Sequence, residues 1–351
     1  MQKTLITIAK QAYLERVLFT PAQKSLYFEL AMGSGGASQF KHIEGIRSGM
    51  SYAAGKAKED RQVLLVCAAH ELAFIADQMM QFARNLTHTV IVAVHTERPE
   101  GETPLGSPWA YGLMGWAVFQ TCTPQELYDH LALAYALRHQ EDVPIPCLVH
   151  YTPAAASDSE ITPNESLDLG NPTTEWGKAP AKKGLDFDAA LAAVKQKQEK
   201  PTLGGTYPKV QPALRAIYDT LAYACPPQGL PLEGVPVNDD WAVITSLPPA
   251  EPRPNWIRLL CQRPLDAQGL IHALQTVRKV AVVESAPPPG VTVPPFFAEI
   301  SGALRARRSI EVIGTTVETP CVSLPDDIAV AVEEQLAQAG PETKSVPVFA
   351  L

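Results

Sequence analysis

The stretch QVLLVCAAHELAFIADQMMQFARNLTHTVIVAV (62–94) reads as strand, helix, strand. Val63–Ala69 and His88–Val94 are short, continuous apolar runs, the pattern of strands covered on both faces of a parallel sheet. ELAFIADQMMQFARNL between them carries apolar residues at helical spacing. A third run, PIPCLVHY, ends at Tyr151 and follows the helical pattern TPQELYDHLALAYALRHQ (123–140). Thr123 is suited to the N-cap of that helix, Pro124 to its first turn and Glu126 to the third position. Strands alternating with helices in this way predict βαβ units and a mostly parallel α/β sheet.

Working outward, three regions emerge. Residues 1–152 form the first α/β region. From 153 to 208 the text turns to TPAAASDSEITPNESLDLGNPTTEWGKAPAKKG and similar polar sequence, a Pro/Ser-rich connector with few large hydrophobes. Residues 209–351 carry a second α/β pattern. Its strand candidates are WAVITSL (241–247), WIRLLC (256–261), KVAVVES (279–285) and SIEVIG (309–314). Helical patterns lie at LDAQGLIHALQTV (265–277) and DDIAVAVEEQLAQA (326–339). The stretch PPAEPRPNW, with four prolines in nine residues, cannot be a helix.

Composition narrows the function. The 351 residues carry 29 Lys and Arg against 37 Asp and Glu, a net charge of −8. That argues against a nucleic-acid backbone or an anionic membrane as partner, since both need basic surface. The six cysteines are never closer than 25 residues, so the clustered thiolates of an iron–sulfur or structural zinc centre are missing, and no metal site is expected on this chain. No run of 18 apolar residues occurs, and the start lacks a signal-peptide core; with scattered cysteines read as reduced thiols, the expectation is a cytoplasmic protein.

Few single motifs carry chemistry. Gly33–Ser38 is the most glycine-dense stretch, but it lacks both nucleotide-binding fingerprints and reads equally as a turn. Glu44 heads GIRSGMSYAAGKAK, a small-residue helix. There it is either a carboxylate pointed at a ligand or a first-turn residue favoured by the helix dipole. His70 and His95 follow apolar runs and so fall near strand ends, where open α/β sheets bind ligands; a structural role is the alternative.

The order of the pieces resembles the α-type chain of the 2-oxoacid:ferredoxin oxidoreductases, the pyruvate:ferredoxin oxidoreductase family. VLFTPAQKSLYFE (17–29) is similar to that family's ITPS segment, and HIEGIRSGMSYAAG (42–55) to its glutamate-bearing helix start. QVLLVCAAHELAFIADQM (62–79), TVIVAVHTERPEG (89–101) and the segment 107–151 follow in the family's order. The region from WAVITSL onward resembles its transketolase C-terminal-like domain. The resemblance implies a thiamine pyrimidine-binding-type domain over 1–152 and a transketolase C-terminal-like domain over 209–351, each doubly wound.

It also implies the cofactor thiamine diphosphate, with Glu44 hydrogen-bonded to the aminopyrimidine as acid–base residue, His70 beside the pyrimidine and Thr20 near the 2-oxoacid. The position of the substrate-carboxylate arginine falls at His95 or Thr96, with Arg98 displaced, a departure from the family. No GDG motif occurs, so Mg²⁺ and the diphosphate would be held by a β-type partner chain. Fe–S clusters would lie on partner chains of β or γ type, passing electrons to ferredoxin. The implied reaction is oxidative decarboxylation of a 2-oxoacid such as pyruvate to an acyl-CoA, with coenzyme A, or its reverse. The alternative is a non-catalytic structural or regulatory paralogue.

Overall fold

The computed structural model describes residues 1–33, 39–58, 61–85, 91–95, 115–138, 143, 145–153, 160–164, 169, 209–214, 216–217, 232–233, 240–247, 249, 253–285, 293–305, 310–317, 324, 326–338 and 348–349. Two sheets organise them. The first has seven strands: β1 (Arg16–Phe19), β2 (Phe40–His42), β3 (Val63–Cys67), β4 (Ile91–His95), β5 (Ala117–Thr121), β6 (Cys147–Tyr151) and a later strand described below. Their spatial order is β5-β6-β4-β3-β1-β2, every neighbour parallel. Val63–Cys67, Ala117–Thr121 and Cys147–Tyr151 are buried at every position, because helices cover both faces.

One face packs on α1 (Gln2–Gln11), α2 (Lys24–Gly33) and α5 (Pro124–Arg138). The helix α5 is buried nearly all round, from Leu127 to Leu137, as a helix sandwiched between other elements must be. Its start is built as the sequence predicts: the Glu126 amide donates to Thr123 Oγ1 (3.1 Å). The other face packs on α3 (Ile46–Lys58) and α4 (Ala76–Asn85), where Trp116 is fully buried and donates from Nε1 to the Met79 carbonyl (2.9 Å). The expected helix from Glu71 onward begins instead as a 3₁₀ turn, Ala69–Ile75, before continuing as α4.

The second sheet contains β8 (Trp241–Thr245), β9 (Trp256–Leu259), β11 (Lys279–Ser285), β12 (Glu311–Val317) and two short edge strands, β7 (Leu232–Glu233) and β13 (Val348–Phe349). The order is β13-β12-β11-β8-β9-β7, parallel except at β7. Helices α6 (Ala267–Ala273) and α7 (Pro295–Leu304) cover one face and α8 (Asp326–Gln338) the other. Both units are therefore doubly wound α/β, as expected. In the proline-rich crossover between β8 and β9, none of the described residues is helical.

One element crosses between the units. WIRLLC is read in the sequence as a single strand, but it divides at Leu260. Its first part is β9; Cys261–Arg263, β10, leaves the second sheet and joins the first, antiparallel to β5. Leu260 accepts from the Gln120 amide (2.8 Å) at the crossing. Close by, Arg258 of β9 makes two hydrogen bonds to the Glu126 carboxylate (2.9 and 3.2 Å). Val210, Leu214 and Ile217 are buried in the core of the first sheet. The described residues of the intervening stretch also lie on the first unit: the Leu169 amide donates to Gln11 O (3.0 Å) and that of Asn164 to the Tyr128 hydroxyl (3.1 Å).

Two stability predictions follow from these contacts. Arg258 is buried, and removing one member of a buried pair strands the other charge, so Arg258→Met should lower stability by about 3 kcal/mol in denaturant titration. The second concerns Glu284, at the end of β11, which accepts the amides of Phe296 (3.1 Å) and Phe297 (2.7 Å) at the start of α7. Burial outweighs those hydrogen bonds and raises its pKa from 4.5 to about 7. In that window the folded chain holds the proton and the unfolded chain releases it, so stability falls as pH rises from 4.5 to about 7, and the contribution is flat above. Comparing wild type with Glu284→Gln by denaturant titration across the window should show this slope only in wild type, with an amplitude on the order of 3 kcal/mol.

Candidate active site

The carboxyl ends of the first sheet define the candidate site. From β1 the chain runs to β2 on one side and then returns to β3 on the other, so the exits of β1 and β3 flank a topological switch point, where open α/β sheets bind ligands. Thr20 directly follows β1, Glu44 follows β2 by two residues, and Ala68–Glu71 follow β3. The Thr20 amide donates to Val66 O (3.1 Å) and that of Ile43 to Phe19 O (2.9 Å), which fixes these three exits side by side.

At the switch point lies a residue whose role the sequence did not reveal. Glu71 is 7% exposed, and its Oε2 accepts two hydrogen bonds, from the Thr20 hydroxyl and from the Ala68 amide (2.9 Å). Thr20 is fully buried. The 3₁₀ turn Ala69–Ile75 produces this arrangement, because it places Glu71 third from its start and folds the carboxylate back onto the strand exit. Cys67, at the end of β3, is free and buried; burial first, and the neighbouring Glu71 charge second, push its thiol far above the ordinary range. It is a poor nucleophile there.

The expected site residues divide into three groups. Thr20 and His70 flank Glu71, but Thr20 faces inward and His70 is exposed. Glu44 lies at the same sheet edge with its side chain exposed, which is the position of a group open to a ligand or to a covering chain. On the turn that carries His70, Phe74 is 67% exposed, and its carbonyl accepts from Arg47 Nη2 (2.7 Å), which also pairs with Asp77. His95 ends β4, opposite Tyr151 of β6, and so belongs to the same edge; its side chain, Thr96, Arg98 and Ser34–Ser38 lie outside the described residues.

Sequence reasoning missed Glu71 because it sits inside an apolar run with helical spacing. The available signal was its position, third in the turn that follows a fully buried strand. The Arg258–Glu126 pair was missed because its members are 132 residues apart.

No family profile and no curated protein matches this sequence. Solved structures do. A 2-oxoglutarate:ferredoxin oxidoreductase from Magnetococcus marinus, solved with 2-oxoglutarate, coenzyme A and succinyl-CoA bound, superposes with a TM-score of 0.54 at 13% identity over 95% of this chain. The present chain spans 64% of that chain's length. A split-gene transketolase, solved as an inactive β4 tetramer, superposes with a TM-score of 0.53 at 12% identity, covering 96% of both chains. At these identities the likeness is one of fold. Among the described residues no helix is long and apolar enough to cross a membrane.

The geometry separates the two glutamates by stability. Thr20→Val strips a buried hydrogen bond from Glu71 and should lower stability by about 1–3 kcal/mol. Glu44→Gln, at an exposed position, should stay within about 0.5 kcal/mol of wild type. Denaturant titration of the two variants checks both values.

Proposed function

We propose that this chain is the α-type subunit of a thiamine-diphosphate-dependent 2-oxoacid:ferredoxin oxidoreductase. The observation that supports it best is the convergence of Thr20, Glu44 and His70 on the exits of β1, β2 and β3 in a fold shared with such an oxidoreductase. Thiamine diphosphate, when bound, supplies a carbon nucleophile towards a carbonyl substrate. The side chains at this edge fit its pyrimidine half: Glu44 would accept a hydrogen bond from the ring, and His70 would lie beside it. Glu44 is open to solvent in the single chain; a covering partner would remove water and make its acid–base role effective. No GDG motif occurs in the sequence, so the diphosphate and its Mg²⁺ would fall to a β-type partner.

In this reading residues 1–152 and 209–351 are the two domains, with 153–208 between them, and the assembly works in the cytoplasm. Fe–S clusters on β- or γ-type chains take up the electrons on their way to ferredoxin, and coenzyme A takes the acyl group. His95, Thr96 and Arg98 would contact the 2-oxoacid, with Thr20 near it but buried, its hydroxyl held by Glu71. A second reading, a non-catalytic structural or regulatory paralogue, draws support from the Thr20 hydroxyl being held by Glu71 rather than left open.

Co-purification of this chain with a β-type chain, followed by assay for thiamine diphosphate, iron and 2-oxoacid-dependent ferredoxin reduction, tests the proposal. Glu44→Gln should reduce turnover of that complex by roughly 10²–10⁴-fold. A complex that binds the cofactor and turns over normally with Glu44→Gln overturns the role of Glu44. A complex with cofactor but no turnover supports the paralogue.

A further inference from the structure

We infer that Glu71 makes the switch-point site selective for ligand groups that are cationic or donate hydrogen bonds, and that it turns carboxylates away from Thr20. The inference rests on the proposed function only for the location of the site. The observations concern one carboxylate. Both hydrogen bonds to Glu71, from the Thr20 hydroxyl and the Ala68 amide, fall on Oε2. Among the described residues nothing hydrogen-bonds to Oε1. The side chain lies between the exits of β1 and β3, the two strands that flank the switch point, and no cation is paired with it among the described residues.

The chemistry follows from charge and hydrogen bonding. A carboxylate is acceptor-only, so the spare oxygen offers a place for an N–H or an ammonium and none for another acceptor. The Thr20 hydroxyl, the neighbouring group that could serve an anion, already donates its single proton to Glu71. An incoming carboxylate would therefore meet a like charge in a site largely removed from water, where repulsion is weakly screened. A 2-oxoacid could use this site only with its carboxylate turned away from Thr20, and a neutral carbonyl compound with an N–H donor would be preferred over its anionic analogue. Glu71 is thus a specificity-determining residue.

Methyl NMR on the full chain, labelled at threonine, reads this directly through Thr20. Methylammonium chloride and sodium acetate are titrated separately at fixed ionic strength. In wild type, methylammonium should shift the Thr20 signal saturably and acetate should not. Glu71→Gln should weaken methylammonium by at least about tenfold and let acetate shift the signal. Glu71→Asp, which keeps the charge, should retain the preference for the cation, and it also controls for a folding defect in the glutamine variant. Acetate shifting Thr20 as strongly as methylammonium in wild type overturns the inference, as does an unchanged methylammonium titration in Glu71→Gln. Failure of methylammonium to move Thr20 in wild type overturns it too, and so does Glu71→Asp behaving like Glu71→Gln. The cofactor reading is tested separately, by thiamine diphosphate binding to the assembled complex, so the two fail independently.

Discussion

The buried contact between Arg258 and Glu126 is the joint on which the two halves of this chain turn. Arg258 belongs to the second sheet and Glu126 to the first turn of the helix that leaves the first sheet's edge. The Glu126 carboxylate also accepts the Cys122 amide (2.8 Å) and the Cys122 thiol (3.3 Å), so one side chain ties the end of β5, the start of α5 and β9 together. Burial pushes its pKa up, but the Arg258 charge and its hydrogen bonds outweigh burial and hold it below the ordinary carboxylate range. Burying the pair costs desolvation, which the mutual attraction and the added hydrogen bonds offset, whereas either partner alone would be left uncompensated. Beside it, β10 completes the joint by backbone pairing, which needs no particular side chain.

That joint matters to the candidate site because it lies on the same carboxyl edge. The chain leaves β5 at Thr121 and enters α5 at Pro124, beside the exits of β6 and β4. Holding α5 against the second sheet therefore fixes one end of the row whose other end is Thr20 and Glu44. Backbone hydrogen bonds set the exits of β1, β2 and β3 side by side, and side chains are added to them: a buried carboxylate at the switch point, a histidine on the turn that carries it and an exposed carboxylate after β2.

The architecture was legible wherever the signal was local. Continuous apolar runs marked β3, β4, β6, β8 and β11, and the Thr123–Pro124–Glu126 start marked α5 within a residue. The short β2 and β5 gave no comparable run; AVFQT is ordinary in sequence and becomes a buried strand through its neighbours β6 and β10. The division of WIRLLC between two sheets is invisible along the chain, since both halves are equally apolar and only the far strand β5 decides where the second goes. For the site, strand ends were legible and so were Thr20, Glu44, His70 and His95 as edge positions. Which glutamate would be buried was not, because a carboxylate four residues past a strand has the same local signature whether the turn folds back or runs on.

In the proposed function the two glutamates would divide the work between them. Glu44 faces water in the single chain, so only a covering partner would strip water from its carboxylate. A carboxylate already tied to a hydroxyl and an amide has its orientation fixed before any ligand arrives, and Glu71 is in that condition. In the proposed function the first would be a switch that needs a partner and the second a filter that does not. With Glu44 after β2 and Glu71 after β3, on either side of the β1 exit, the proposed function would have the chain sort ligands by charge on its own and leave proton transfer to the assembled state.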